Sequence, residues 1–478
     1  MPHPSGRSDV TRKQIFALTV LSAAVFMVAI DGTVLSIAVP ALKADLDPTY
    51  TQVLWIGDVY SFVLAGVLVT MGNVGDRIGR KRLLILAATG FGAMSVAAAV
   101  APSAEWLIVA RALQGLAGAG LMPPTLALIR TVFTDQHERT RAIGLWSAAG
   151  AAGASIGPTV AGALVEHFYW GSVFLINVPV VLFIVIVGSL VLPESRGDSQ
   201  QVIDPASVVL STAGILGVVY GITELADRGL DSPTSALALL LGLGLLALFS
   251  RRQRHLPVPL VDFRLFSNPG FAGAVSAQFL VVLAATGALF FLSIYLQTVV
   301  GYSPLQAGLA LIPVSLVSMV VAPNTGRLLR RFGPRWVLLA GLMASALGLV
   351  GIGLLEPYGY WALVVPLVLL GFSFGSVLTT AAELVLLSAP PERAGAAVGV
   401  SETSFELGGA VGIALLGSMI TLVYHRVATT PDLFSDTAAY ATAITVTTLV
   451  AGALVAIAAV LTTRRVPRTR TDQVPEAT

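Results

Sequence analysis

The 478-residue chain contains no cysteine. That excludes disulfides, zinc–thiolate sites and iron–sulfur clusters, all of which need the thiol. Charge is scarce as well: Asp, Glu, Lys and Arg make up 11% of the residues, against 55% hydrophobic. Soluble domains carry roughly 25% charged residues, and a water-facing shell cannot be built from less than half that share. Lysine occurs only at Lys13, Lys43 and Lys81, so arginine carries most of the positive charge. There is no G-x-x-x-x-G-K-S/T phosphate loop, and nothing supports direct drive by ATP. The histidines at 3, 137, 167, 255 and 425 are scattered without ligand spacing. Neither a metal site nor an intramembrane enzyme is expected from them.

What is present instead is a succession of long apolar runs. A helix that crosses a bilayer needs about 20 mostly apolar residues. Fourteen segments qualify, near 14–40, 52–72, 83–101, 105–128, 142–164, 170–192, 206–223, 234–250, 269–298, 304–323, 336–355, 360–386, 395–424 and 438–462. With short loops between them, satisfaction of the backbone in lipid demands helices throughout, so the fold class expected is an all-α membrane protein. The first run is no cleaved leader, because it is long, carries Asp31 and lacks an A-x-A exit.

Orientation follows from the basic residues. With a cytoplasmic N-terminus, every Lys and Arg falls in a cytoplasmic segment except Lys43, Arg228 and Arg426 outside and Arg111 within a span. That bias obeys the positive-inside rule and places both termini in the cytoplasm. The net charge of +2 and basic pI therefore reflect topology, and a nucleic-acid partner is not expected.

Two of the basic loops repeat one another. Gly72-Asn-Val-Gly-Asp76-Arg77-Ile-Gly79-Arg80-Lys81 is echoed by Gly326-Arg-Leu-Leu-Arg330-Arg331-Phe-Gly333-Pro334-Arg335, with Gly, Arg, Gly and a terminal base at the same spacing. Spans 1–6 and 9–14 are then homologous halves with spans 7 and 8 inserted, an arrangement of transporters whose substrate site lies between the halves. The expected organisation is a cytoplasmic N-terminus (1–13), a six-helix bundle (14–193), a linker with two inserted helices (194–267), a second six-helix bundle (268–463) and a cytoplasmic tail (464–478).

These residues carry a family resemblance. The loop from Gly72 to Lys81 resembles the G-x-x-x-D-R-x-G-R-K signature of the major facilitator superfamily. Gly144-x8-Gly153-x3-Gly157-Pro158-x2-Ala161-Gly162 in span 5 resembles the antiporter motif of drug exporters, with Ala161 where a glycine is usual. Asp31-Gly-Thr33-Val34 in a span ending at Pro40 is similar to the fourteen-helix drug:proton antiporters. Trp55-Ile-Gly-Asp58-Val-Tyr60-Ser61 and Ser401-Glu402-Thr-Ser-Phe405-Glu406-Leu-Gly408 resemble the branch that exports quaternary ammonium compounds and cationic dyes. The resemblance covers essentially the whole chain. It implies a major facilitator fold of two six-helix bundles plus two additional central helices, fourteen in total, in the cytoplasmic membrane of a bacterium.

Each motif also has a physical reading. Glycines in the first loop allow a tight turn, and Asp76 is expected to cap the following helix. The loop's bases face the anionic leaflet. A topogenic role and a gating role for Gly72, Asp76, Arg77, Gly79 and Arg80 are both open on physics; the resemblance implies a latch. Gly153 and Gly157 share a helix face that permits close approach, and Pro158 permits a bend; close packing alone accounts for them on physics, and the resemblance to the antiporter motif implies a conformational role for all three in alternating access.

Charges inside spans are rare and costly, and so are functional candidates. Five acids qualify (Asp31, Asp58, Glu383, Glu402 and Glu406), with Arg111 as the single base. Glu402 and Glu406 share one helix face, and two carboxylates so close resist double ionisation. Proton coupling is therefore assigned to Asp31, Glu402, Glu406 and Arg111, with Arg111 free to pair with Asp31 or another acid. Arg111 also lies in an R-x-x-x-G pattern (Arg111 to Gly115) that resembles the family's. Contact with a cationic substrate is assigned to Asp58 and Glu383, with the aromatic faces of Trp55, Tyr60 and Phe405. Glu383 is close enough to the end of span 12 to be interfacial.

The reading is a proton-coupled exporter of lipophilic organic cations, working by alternating access with the proton gradient in place of a cofactor. Its expected partners are small organic cations, protons and membrane lipid, and it is expected to be a monomer. A dedicated exporter of one endogenous metabolite or antibiotic is the alternative.

Overall fold

The computed structural model describes residues 11–196, 204–228, 233–256, 259, 261, 263–388, 394–428, 436–464 and 466. Most of both expected tails, and Asp231 in the loop between the inserted helices, lie outside these residues. The first half comprises α1 (Arg12–Leu46), α2 (Tyr50–Ile78), α3 (Arg80–Ala99), α4 (Ala104–Ala119), α5 (Met122–Val132), α6 (Gln136–His167), α7 (Ser172–Leu175) and α8 (Asn177–Val191). A hairpin follows, α9 (Pro205–Arg228) and α10 (Pro233–Gln253). The second half comprises α11 (Pro269–Thr298), α12 (Pro304–Ala310), α13 (Ile312–Phe332), α14 (Pro334–Leu355), α15 (Tyr360–Ser388), α16 (Ala394–Val427) and α17 (Thr437–Arg464).

Among the described residues, fourteen spans are long and apolar enough to cross a membrane. Three are built from two helices each: α4 with α5, α7 with α8, and α12 with α13. Prolines sit at the first turn of α5 and α13, where the missing N–H costs nothing. Thr11, Thr49 and Ser303 open α1, α2 and α12 with reciprocal capping boxes to Gln14, Gln52 and Gln306.

The sequence repeat is a structural one. Gly79 (φ +111°) is the sole residue between α2 and α3, and Gly333 (φ +77°) is the sole residue between α13 and α14. Both lie in the left-handed half of the backbone map, which glycine enters without a Cβ clash. Each joint turns one span directly into the next.

α1 does not end at Pro40 as its sequence suggests; it continues to Leu46. Pro40 has no N–H for the carbonyl of Ser36, one turn earlier. The Ser293 hydroxyl of α11 donates to that carbonyl at 3.0 Å, and Gln297 Nε2 donates to the neighbouring carbonyl of Ile37 at 3.2 Å. The opposite half thus supplies a donor where the proline removed one, and the helix survives.

The apolar core divides along the long axis. At the end remote from the described termini, one continuous cluster joins the halves, with Val34 and Ile37 of α1 and Ala161 of α6 in the same core as Phe290, Phe291 and Ala307. At the end that carries the termini there are two separate clusters. One holds Val20, Leu21, Leu84, Leu128 and Ile129, the other Phe271, Leu338, Leu384 and Ala397. Glycines let the backbones cross at the remote end. A Cβ on Gly162 would stand 2.5 Å from the Pro304 carbonyl, and one on Gly308 would overlap that of Pro158.

The inserted hairpin packs α9 on α10 and also on α2 and α16, one helix from each half. Its terminus-side end is tied by the Asp204 carboxylate, which accepts from Arg252 Nε at 2.8 Å and Nη2 at 3.0 Å. That guanidinium, together with the Ser207 hydroxyl, holds the Asp204 carboxyl down at about 2, against some opposition from burial.

Candidate functional site

Asp31 lies at the centre of a fully buried polar network in the first bundle. Arg111 Nη1 donates to Asp31 Oδ2 at 2.6 Å, while Gln114 Nε2 and Asn177 Nδ2 donate to Oδ1 at 2.9 and 2.7 Å. Ser95 Oγ accepts from Gln114 at 2.9 Å and from Asn177 at 3.2 Å, and Arg111 also donates to Gln114 Oε1 at 2.9 Å. Four spans meet here, each bringing a polar residue that the apolar pattern of its helix isolates. The break between α7 and α8 sets Asn177 at the first turn of α8. A charge pair so deeply buried persists only when its remaining donors and acceptors are filled; Gln114, Asn177 and the Ile56 carbonyl contact the pair directly, and Ser95 holds the two amides in place.

Tyr60 belongs to this network and not to an open cleft. Its ring lies 4.4 Å from the Arg111 guanidinium carbon, and Phe174 flanks the same cation at 5.6 Å. The aromatic face assigned by sequence to a ligand cation is occupied by the protein's own.

The remaining acids are distributed differently. Asp58 is 2% exposed, and neither carboxyl oxygen has a hydrogen-bond partner among the described residues. Glu402 and Glu406 are half-buried on α16, which packs on α2, and Glu406 lies within reach of the Ser61 side chain of α2. An acid of the second half therefore reaches the motif of the first that holds Trp55 and Asp58. Next to it, a Cβ on Gly57 would meet Phe290 at 3.7 Å and Ile413 at 3.9 Å, so α2, α11 and α16 converge there. Trp55 pairs with Tyr220 of α9 at 6.2 Å.

Two expected ligand contacts stand apart. Phe405 packs edge-on against Phe374 at 6.4 Å within the second bundle. Glu383 lines a shallow cleft with Arg330, Pro334 and Thr380, beside the second-half copy of the repeated loop, and none of the other four acids lines it.

The first copy of that loop differs from its sequence reading in one respect. Asp76 does not cap α3, whose N-terminus has no side-chain cap from its own flank. Asp76 lies inside α2 and pairs with Arg80 Nε at 2.8 Å, one turn on. The cap comes from Glu194, at the end of the sixth span. It accepts from the Lys81 N–H at 3.3 Å and lies 3.8 Å from Arg82 Nε, while Lys81 Nζ donates to the Ser189 carbonyl at 2.7 Å. A Cβ on Gly79 would stand 2.5 Å from the Glu194 carboxylate, so the third glycine of the loop is needed for contact as well as for the turn. Gly72 sits in the last turns of α2, where a Cβ would meet Pro123 of α5 at 3.6 Å; Arg77 is exposed nearby.

In the antiporter-like motif, Gly153 and Gly157 seat α6 on α1. A Cβ on Gly153 would lie 2.5 Å from the Phe26 carbonyl, and one on Gly157 would overlap Thr33. Pro158, on the same helix, meets Gly308 of the other half.

Gln114, Asn177, Ser95, Glu194 and Tyr220 were not singled out by a reading that followed charge. The signal for the first three was isolated polarity in an apolar span. For Glu194 and Tyr220 no local signal exists, because each acts on a distant segment. Among the described residues no group of three or more His, Asp or Glu side chains could hold a metal ion.

A family model described as Major Facilitator Superfamily matches residues 21–413. The multidrug efflux pump LfrA of Mycolicibacterium smegmatis is 42% identical over 423 residues, covering 88% of this chain and 84% of the pump. The methyl viologen resistance protein SmvA of Salmonella typhimurium is 37% identical over 413 residues, covering 86% and 83%. A bacterial homologue of the human lysosomal transporter Spinster, crystallised inward-facing and unoccupied, superposes with a TM-score of 0.70 at 17% identity, over 98% of this chain and 100% of that one. At that identity the likeness speaks for the fold alone. The chain therefore belongs to the major facilitator superfamily, and it is a multi-pass membrane transporter of the multidrug-efflux kind, not an enzyme.

Proposed function

We propose that the protein exports lipophilic organic cations, among them quaternary ammonium compounds and dyes, across a bacterial cytoplasmic membrane in exchange for protons. The observation that carries the reading is the contrast among its acids. Asp31 is saturated by three donors, whereas Asp58 is buried without any, and Glu402 and Glu406 lie half-buried on α16, which packs on the same α2. A buried charge without compensation costs several kcal/mol, of order 3–5 when a partner is lost. A proton or an organic cation relieves that cost, and the two are mutually exclusive on one carboxylate, so each drives the other's release. Asp31 and Arg111 hold the first bundle together at rest, and when the pair opens the Asp31 carboxylate is free to take up a proton while Arg111 stays charged.

The basic loops support cytoplasmic termini. The end closed by the common core is then extracellular, and the molecule is in its inward-facing state. The proton gradient is its energy source, and one chain suffices for transport. Similarity to a relative named for resistance to methyl viologen, a flat organic dication, supports the substrate class. The Asp76–Arg80 joint acts as a latch: Asp76→Asn is expected to lower transport while substrate binding is retained.

Vesicles with an imposed pH gradient test the coupling. Uptake of a cationic dye should follow the gradient and stop when an ionophore collapses it; uptake indifferent to the gradient would refute proton exchange. Resistance confined to a single compound would favour the dedicated exporter instead.

A further inference from the structure

The inserted helices carry an inference beyond topology. Trp55, Asp58, Phe62 and Gly66 succeed one another at helical spacing along α2. Three of the four meet α9: Trp55 pairs with Tyr220, Phe62 shares a buried cluster with Val219, and a Cβ on Gly66 would stand 3.1 Å from Thr212 Cβ. Asp58 stands between Trp55 and Phe62 on this face, sealed from solvent. The same cluster includes Ala410 and Ala414 of α16, so α9 covers the line where the two halves meet.

This seam is poorly satisfied. Both Asp58 carboxyl oxygens and Thr212 Oγ1 are buried without a hydrogen-bond partner. Leaving such groups unpaired is costly, and a carboxylate most of all. The opposite side of α9 is different. There Gly217 packs against Gly242 of α10, with a Cβ only 3.0 Å from its Cα, and Gln253 Nε2 donates to Ser207 Oγ at 2.7 Å. The contact between α9 and α10 is hydrogen-bonded and strands the Ser235 hydroxyl, whereas the contact between α9 and α2 strands a hydroxyl and lies over a face whose carboxylate has no donor. Of the two, the second is the one built to open.

We propose that α9 is a movable wall of the cation site: seated as here it seals Asp58, and it must part from α2, carrying α10 with it, for a lipophilic cation to reach that carboxylate from the bilayer. The inference rests on Asp58 as a cation-contacting group and adds the element that controls access to it.

The absence of native cysteine makes the test direct. Gly66→Cys with Thr212→Cys, and separately Phe62→Cys with Val219→Cys, place thiol pairs across the seam; the 3.1 Å separation at the first pair reaches disulfide range of roughly 3.5–4.5 Å with a small shift. In vesicles with a pH gradient and ethidium as probe, the oxidised variants should lose at least about tenfold of the export rate, equivalent to 1.4 kcal/mol, and regain it on reduction. Export at the reduced rate while cross-linked overturns the proposal, and so does failure of both pairs to cross-link. A second measurement does not depend on export. Asp58→Cys should react slowly with a membrane-permeant maleimide in the otherwise native chain, and complete protection over many opening times would mean that α9 never parts. If wild-type protein exports no cation while that labelling occurs, the proposed function fails and the movable wall stands.

Discussion

The two ends of the molecule are built from the same repeated halves, yet only one of them has a common core. At the remote end, α1 and α6 share their buried side chains with α11 and α12. At the terminus-bearing end each half keeps its own. The difference lies in what each end offers the other half. The remote end presents glycines at backbone crossings and carbonyls freed by proline, which favour close and hydrogen-bonded contact. The terminus-bearing end presents charged helix ends joined through single glycines, Gly72–Lys81 and Gly326–Arg335, whose side chains turn to their own bundle or to water. Two rigid bodies joined at one end and separate at the other are what rocking requires.

The largest effect is expected from destroying the rigidity of one body. Arg111→Ala leaves Asp31 buried with two neutral donors, a loss of about 3–5 kcal/mol. Detergent-solubilised protein should melt well below wild type and transport nothing. A melting temperature unchanged from wild type would mean that the network is dispensable.

Wedging the joined end should come next. Gly308→Leu forces a side chain into the Pro158 carbonyl, at about 1–3 kcal/mol of overpacking. Spin labels at Ala44→Cys and Val300→Cys should then report a longer distance across the remote end, with the bundles individually intact. No lengthening would place the joint elsewhere.

Ser293→Ala is subtler. It removes the hydroxyl that answers Pro40 through the Ser36 carbonyl, a contact worth about 1 kcal/mol. The same label pair should show a larger open population, several-fold at most, without a change in melting.

The smallest effect belongs to the hairpin outside both bodies. With its carboxyl held at about 2, Asp204 contributes stability that is complete above its unfolded value of about 4 and is lost as pH falls from there toward 2. Asp204→Asn should therefore match the acid-treated wild type and differ slightly from it at neutral pH. A stability difference that grows as pH falls would have the wrong sign for this tie.

How much was legible depended on how local the cause was. The spans, the repeat and the buried acids could be read because apolar run length, glycine spacing and isolated charge are properties of single segments. Gly79 and Gly333 were legible as turns for the same reason. Partnerships were not. Tyr60 reads as an aromatic beside an acid, and only the packing of α2 on α4 puts it over Arg111. Asp76 reads as a cap, but the cap is Glu194, more than a hundred residues away. Pro40 reads as a helix end because a lone proline ends most helices; the donor that rescues α1 comes from the other half.

By itself the sequence determined that the chain lives in lipid, that it is two related bundles with a hairpin between them, and that a few acids are held where acids are costly. Those follow from composition and period, which fix how each segment meets its solvent. Tertiary structure alone decided which acid is saturated and which is stranded, which end is joined, and that α9 packs on the face of α2 that carries Trp55, Phe62 and Gly66. Hydrogen bonds and close backbone crossings between distant segments set those outcomes, and such contacts leave no period in a sequence.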